Sequence, residues 1–234
     1  MGFYYFDYTY FLFIVPALIV TMYAQFKVKS TFSKYSRIST IRNMTGAQAA
    51  DSVARFGGAV GVQIQRIQGN LTDNFDPRDN TIRLSDDVYS STSISAVGVA
   101  AHEAGHAIQH AHDYFPNKIR AALVPVTNFG SSLGMPLVII GLILPVKYNF
   151  VVYLGIALFS LAVLFQLVTL PVEFNASMRA IRALDESGIM YPDELEGAKK
   201  VLKAAAMTYL AASFAAIMSL LRLIVLAGNR RGKD

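Results

Sequence analysis

All four histidines of this 234-residue chain, His102, His106, His110 and His112, fall within eleven residues. Two of them frame the pattern His102-Glu103-Ala104-Gly105-His106, inside a stretch that reads as helix from about Ile94 to His112. On a helix, residues four apart share a face about 6 Å apart, so both imidazoles can turn a ring nitrogen to one metal ion. Glu103, one position on, is near enough to take a proton from a metal-activated water without entering the coordination shell. The chemistry such spacing supports is hydrolysis. The chain has no cysteine, so disulfides, iron–sulfur clusters and thiolate zinc sites are excluded and any metal is held by nitrogen and oxygen. The bland alternative is a helix of metal-free histidines. On a face otherwise built of Ile94, Val97, Ala101 and Ile108, two buried imidazoles would then need other hydrogen-bond partners. His110 is rotated by about 80° from His102; it is expected behind the ligands, against substrate, or as a plain polar helix end. His112 is expected to face solvent.

A catalytic zinc site needs a third protein ligand and an open position for water. With the histidines used, a carboxylate is the natural candidate, and Glu173 in Leu170-Pro-Val-Glu173-Phe-Asn-Ala-Ser177-Met-Arg179 is the first acid after a long apolar stretch. Pro171 is expected to start a helix on which Glu173, Ser177, Ala180 and Leu184 share one face. Ser177 would then hydrogen-bond a ligand, and Arg179, like His110, is a candidate for substrate contact or for stabilising an oxyanion. Asp185, Glu186, Glu194 and Glu196 compete as ligands from more charged surroundings. The plainer reading of Glu173 is a carboxylate at a helix N-terminus.

These residues must be positioned by a chain that is 53% hydrophobic and 16% charged, against about 25% charged in a soluble domain. Tyr8 to Phe26 carries no charge and reads as an uncleaved transmembrane anchor, with no cleavage pattern after it and tyrosines at both ends. Two further spans, roughly 123–145 and 149–170, form a hairpin about Lys147, and a fourth, 204–227, continues a helix beginning near Pro192. Lys27, Lys29, Lys34, Arg37 and Arg42 follow the first span without an acid among them, which places that face in the cytoplasm and the N-terminus outside. The basic tail, Arg230-Arg231-Gly232-Lys233, runs against this if the last helix fully crosses.

The expected fold is a mainly α integral membrane protein with about four transmembrane helices and a small α+β zincin-like cytoplasmic catalytic domain. Its parts are an anchor (1–26), a cytoplasmic region with the histidine helix (27–120), a transmembrane hairpin (121–171), a cytoplasmic helix with the third ligand (172–200) and a last span with a basic tail (201–234). Within 27–120, Thr45 caps a helix ending at Gly57-Gly58, Val60–Gln68 and Thr81–Leu84 read as strands, and Ser or Thr at 90–93 caps the histidine helix. Thr81–Leu84 is a candidate edge to which an extended substrate adds a strand. The spans offer no intramembrane acid and only Arg222 as a charge in the last one, which argues against a transporter.

His-Glu-Ala-Gly-His-Ala-Ile-Gln-His, with Asp76-Pro-Arg before it and Leu170-Pro-Val-Glu-Phe-Asn-Ala-Ser after it, resembles the YugP-like bacterial membrane zinc metallopeptidases over most of the chain. The order of zinc helix, membrane hairpin and glutamate helix is more distantly similar to the HtpX-type and CAAX prenyl endopeptidases, whose sites face the cytoplasm. Those families carry Glu-x-x-x-Asp where this chain has Glu173-x-x-x-Ser177. The resemblance implies a peptidase with one zinc ion in a bacterial cytoplasmic membrane and leaves its substrate undefined; the expected partners are a peptide or membrane-protein substrate and membrane lipid, with no nucleic acid. A noncatalytic scaffold or regulator with a structural zinc closed by a fourth protein ligand is the alternative.

Overall fold

The computed structural model describes residues 8–231. Expectations for the N-terminus and for Lys233 fall outside these residues. In order, the chain forms α1 (Val15–Tyr35, entered through a π-helical segment Tyr10–Ile14), α2 (Gly46–Phe56), β1 (Gln63–Ile67), β2 (Asn74–Asp76), β3 (Thr81–Ser85), α3 (Asp86–Tyr89), α4 (Ile94–Ala111), α5 (Phe115–Ile143), α6 (Asn149–Glu186) and α7 (Pro192–Arg231). The protein is mainly helical with a small mixed sheet, and four helices are long and apolar enough to cross a membrane. Contacts divide it into two units: Met1–Ala24 with Ile119–Leu170 and Tyr209–Asp234, and Gln25–Lys118 with Pro171–Thr208.

In the first unit α5 and α6 approach backbone to backbone. A Cβ on Gly155 would stand 2.7 Å from the Val138 nitrogen and 2.8 Å from the Gly134 oxygen, the small-residue packing by which helices associate in lipid. The Arg230 guanidinium donates to the Gly141 and Leu144 carbonyls at the C-terminal end of α5, and Asn229 Nδ2 donates to the Tyr8 hydroxyl at 3.3 Å. The start of the first helix, the turn between α5 and α6 and the end of α7 therefore meet. Arg230 serves the negative end of the α5 dipole. Arg222, the charge within the last apolar run, donates to Thr9 Oγ1 at 3.3 Å and stands over the Tyr10 ring.

One expectation is corrected along α6: Pro171 does not start a helix but lies inside α6, which continues from the apolar run to Glu186. Proline removes one backbone donor and crowds the preceding turn. A helix already committed by a long apolar run absorbs that loss, as membrane helices commonly do.

The second unit is built around α4, which is buried on nearly every side. Thr45 and Gln48 form a reciprocal capping box at the start of α2 (3.3 and 2.9 Å), and Ser93 Oγ accepts from the Ala96 N–H at the start of α4 (3.2 Å). The sheet order is β1-β3-β2, with β1 parallel and β2 antiparallel to β3. Thr81–Leu84 is thus the central strand. Both its edges are paired, so it cannot receive a substrate strand; the free edges belong to β1 and β2. At the β2–β3 turn the Asp76 carboxylate accepts from the Arg78 backbone and side chain, and that guanidinium holds it well below the usual carboxylate range. Ile82, Leu84, Val53, Val97, Val88 and Leu184 fill the core between sheet, α2, α4 and α6.

Gly105 sets the approach of α6 to α4. A Cβ there would fall 2.3 Å from the Ala176 carbonyl oxygen, whereas one on Gly98, in the same helix, would meet Ala198 at an ordinary 3.7 Å. Gly98→Ala should therefore raise stability by up to about 1 kcal/mol through helix propensity. Gly105→Ala should lose about 1–3 kcal/mol to overpacking despite the same propensity gain. Thermal unfolding of the two variants in detergent checks the contrast; equal shifts would refute it.

Candidate metal centre

His102 and His106, one turn apart on α4, present their rings 4.8 Å apart between centroids and nearly perpendicular, at 81°. Glu173 arrives from α6 with Oε2 at 3.2 Å from His102 Nε2 and 3.5 Å from His106 Nε2. One donor atom from each of the three residues lies within 4.8 Å of the other two. Two ligands held about 2.0–2.1 Å from zinc at the tetrahedral angle stand about 3.3–3.4 Å apart, so the carboxylate-to-histidine spacings fit that ion, as does a donor set of two imidazoles and a carboxylate. Among the described residues no fourth histidine or acid joins the group. Glu173 is buried and both histidines are partly exposed, so the group is open to a small molecule from one side.

The atoms behind the donors form a continuous chain. Ser177 Oγ is 3.1 Å from His102 Nδ1. Gln109 Oε1 is 3.1 Å from His106 Nδ1, while Gln109 Nε2 donates to the Val172 carbonyl (2.7 Å) and to Asn175 Oδ1 (3.1 Å). Asn175 Oδ1 also accepts from Arg179 Nε (2.7 Å), and Arg179 reaches His112 Nδ1 (3.1 Å). Arg179 is thus linked to His106 through two amides. It lines, with His112, Arg182, Ile108 and Gly58, a separate cavity of about 660 Å³ that contains none of the three donors. His110 is exposed, its ring 5.8 Å from that of Phe75 and outside the donor group. His112 is exposed but hydrogen-bonded. The competing acids stand elsewhere: Glu186 pairs with Arg182, Glu196 with Lys200, and Glu194 accepts from the backbone N–H groups of Ile41 and Tyr191.

Gln109 and Asn175 were not singled out by the sequence reading. A glutamine on the apolar side of the histidine helix, one turn after His106, is the signal that points to the first; nothing local marks Asn175.

Glu103 is buried beside this group. Burial pushes its carboxyl up to about 7 in the metal-free protein, an effect the His102 ring opposes and the Glu173 carboxylate adds to, and the Phe75 backbone N–H in β2 hydrogen-bonds it. A carboxyl whose pKa is raised on folding costs nothing while it is protonated in both states. Between about 4.5 and 7 the unfolded chain ionises first, and above 7 the folded protein carries the buried charge. The metal-free protein should therefore lose roughly 3 kcal/mol of stability from this group between pH 4.5 and pH 8. Thermal unfolding in chelator across that range should show the decline, and Glu103→Gln should flatten it; an unchanged slope in that variant would assign the pH dependence to other groups.

One chain thus carries membrane-length helices and a His-His-Glu donor group with a further buried glutamate beside it. The chain belongs to the family described as "putative neutral zinc metallopeptidase", which matches residues 10–228. Over 220 residues, 94% of this chain and 97% of the relative, it is 43% identical to the "putative membrane protease YugP" of Bacillus subtilis (strain 168). No solved structure matches it.

Proposed function

We propose that the chain is a multi-pass membrane zinc metalloendopeptidase that hydrolyses peptide bonds at the cytoplasmic face of a bacterial cytoplasmic membrane. The observation that carries this reading is the convergence of His102, His106 and Glu173 on one point, with Glu103 buried alongside and no fourth histidine or acid in the group among the described residues. In this reading the three residues hold one zinc ion, which when bound lowers the pKa of a water to near 7 and polarises the scissile carbonyl. Glu103 takes the proton of the attacking water and passes it toward the leaving amine. Its burial beside the three donors keeps it in a fixed place. Ser177 and Gln109 hold the two imidazoles from behind.

The cytoplasmic orientation is supported by the basic run Lys27, Lys29, Lys34, Arg37 and Arg42 after the first apolar helix. Peptides or membrane proteins are the substrate class, lipid is the surroundings of the apolar helices, and nucleic acid is not a partner. That no fourth histidine or acid joins the group among the described residues is what favours the enzyme over a scaffold with a closed structural zinc. The test is metal analysis of the purified protein, followed by comparison of membrane proteomes from cells carrying the native chain and Glu103→Gln. Peptides that accumulate only in the variant would be substrates. A native protein that binds no zinc, or two identical proteomes, would refute the proposal.

A further inference from the structure

His106 and His102 are presented to the donor group by different kinds of partner, and the difference has a chemical consequence. Gln109 is fully buried and its carboxamide has two distinct ends. The Val172 carbonyl, 2.7 Å from Nε2, can only accept. Asn175 Oδ1, 3.1 Å from Nε2, is already an acceptor for Arg179 Nε, and a guanidinium can only donate. Both neighbours therefore require the NH₂ end, and both of its hydrogens are taken. The carbonyl end is left facing His106 Nδ1 at 3.1 Å, and a carbonyl oxygen can only accept. A hydrogen on Nδ1 satisfies that oxygen; on the other side of the ring the Glu173 oxygen is 3.5 Å from His106 Nε2 but has His102 Nε2 nearer, at 3.2 Å, as its donor, so neutral His106 keeps its hydrogen on Nδ1 and its lone pair on Nε2. His102 Nδ1 faces the Ser177 hydroxyl, which can donate or accept and so imposes no tautomer.

We propose that Gln109 is a positioning residue that locks His106 in its Nδ1–H tautomer before metal arrives, with Asn175 and Arg179 as the outer links that hold the amide in register. This rests on the zinc-binding reading above. The lock makes His106 the ligand that needs no proton rearrangement, and it does with a carboxamide what a carboxylate commonly does behind zinc histidines.

The test uses the full-length protein in detergent, stripped of metal and labelled with nitrogen-15 in its four histidines, at pH 8. Two-bond proton–nitrogen correlation spectra distinguish the tautomers. His106 is expected as Nδ1–H in the native chain. Gln109→Met removes the acceptor at similar volume and should release His106 toward Nε2–H, leave His102 unchanged and weaken zinc binding, measured by chelator competition, by about 10- to 100-fold. Gln109→Glu retains an acceptor against Nδ1 and should keep the Nδ1–H signal, but it lacks the NH₂ group that Val172 and Asn175 require, so its zinc affinity should fall below native. A native His106 in the Nε2–H form would overturn the proposal, as would a Gln109→Met protein that keeps both the Nδ1–H signal and native affinity. If Gln109→Met does not fold, the native and Gln109→Glu spectra decide. Failure of the native protein to bind zinc would refute the zinc reading instead, and the tautomer of metal-free His106 is read independently of it.

Discussion

Replacing Glu103 by glutamine is expected to leave zinc bound and to lower peptide hydrolysis by about 10²- to 10⁴-fold, the range for loss of a general base. The amide matches the carboxylate in shape and can occupy the same buried place, but it cannot take a proton. Glu103 does not belong to the three-donor group, so metal content should stay at one ion per chain. The pair of readouts separates this residue from its neighbours, because a change that merely disturbed α4 would lower both. Wild-type turnover in the Glu103→Gln protein would sink the mechanism, and loss of metal would move Glu103 into the ligand set.

The second large effect is the reverse. Glu173→Ala should lose zinc, with affinity falling by more than the about 10- to 100-fold typical of a group standing behind a ligand, and hydrolysis should vanish with it. Glu173 supplies the oxygen that approaches both Nε2 atoms, and Glu186, Glu194 and Glu196 have other partners. Glu186→Gln and Glu196→Gln should accordingly bind zinc as the native chain does. Metal analysis after dialysis against a weak chelator checks the set. Native zinc affinity in Glu173→Ala would mean that the third ligand lies elsewhere.

The parts of this arrangement that could be read from sequence are those written in short-range patterns. His102, Glu103 and His106 share a helix whose start at Ser93 and whose four-residue spacing are local facts, and the apolar runs announce themselves by length. Strand β2 left no such mark, since Asn74-Phe75-Asp76 is too short for alternation and is ordered by its pairing with β3. The assignment of Thr81–Leu84 to a free edge failed for the same reason: a strand's place in a sheet depends on its partners. Pro171 misled because a proline's local cost is weighed against the whole helix around it, and that helix was apolar enough to continue.

By itself the sequence determined which side chains are able to hold a metal and which peptide segments are apolar enough for lipid, because both follow from residue type at helical spacing. The sequence also named Glu173 and Ser177 as candidates, but tertiary structure decided between Glu173 and the competing acids, and it alone placed Gln109 and Asn175 behind the histidines and Arg179 at two removes. The contacts that cross from α4 to α6 join residues more than sixty positions apart and depend on α6 reaching α4 at Gly105, where the Ala176 carbonyl leaves no room for a side chain. No local pattern encodes such an approach, since it is set by the shape of two packed helices together.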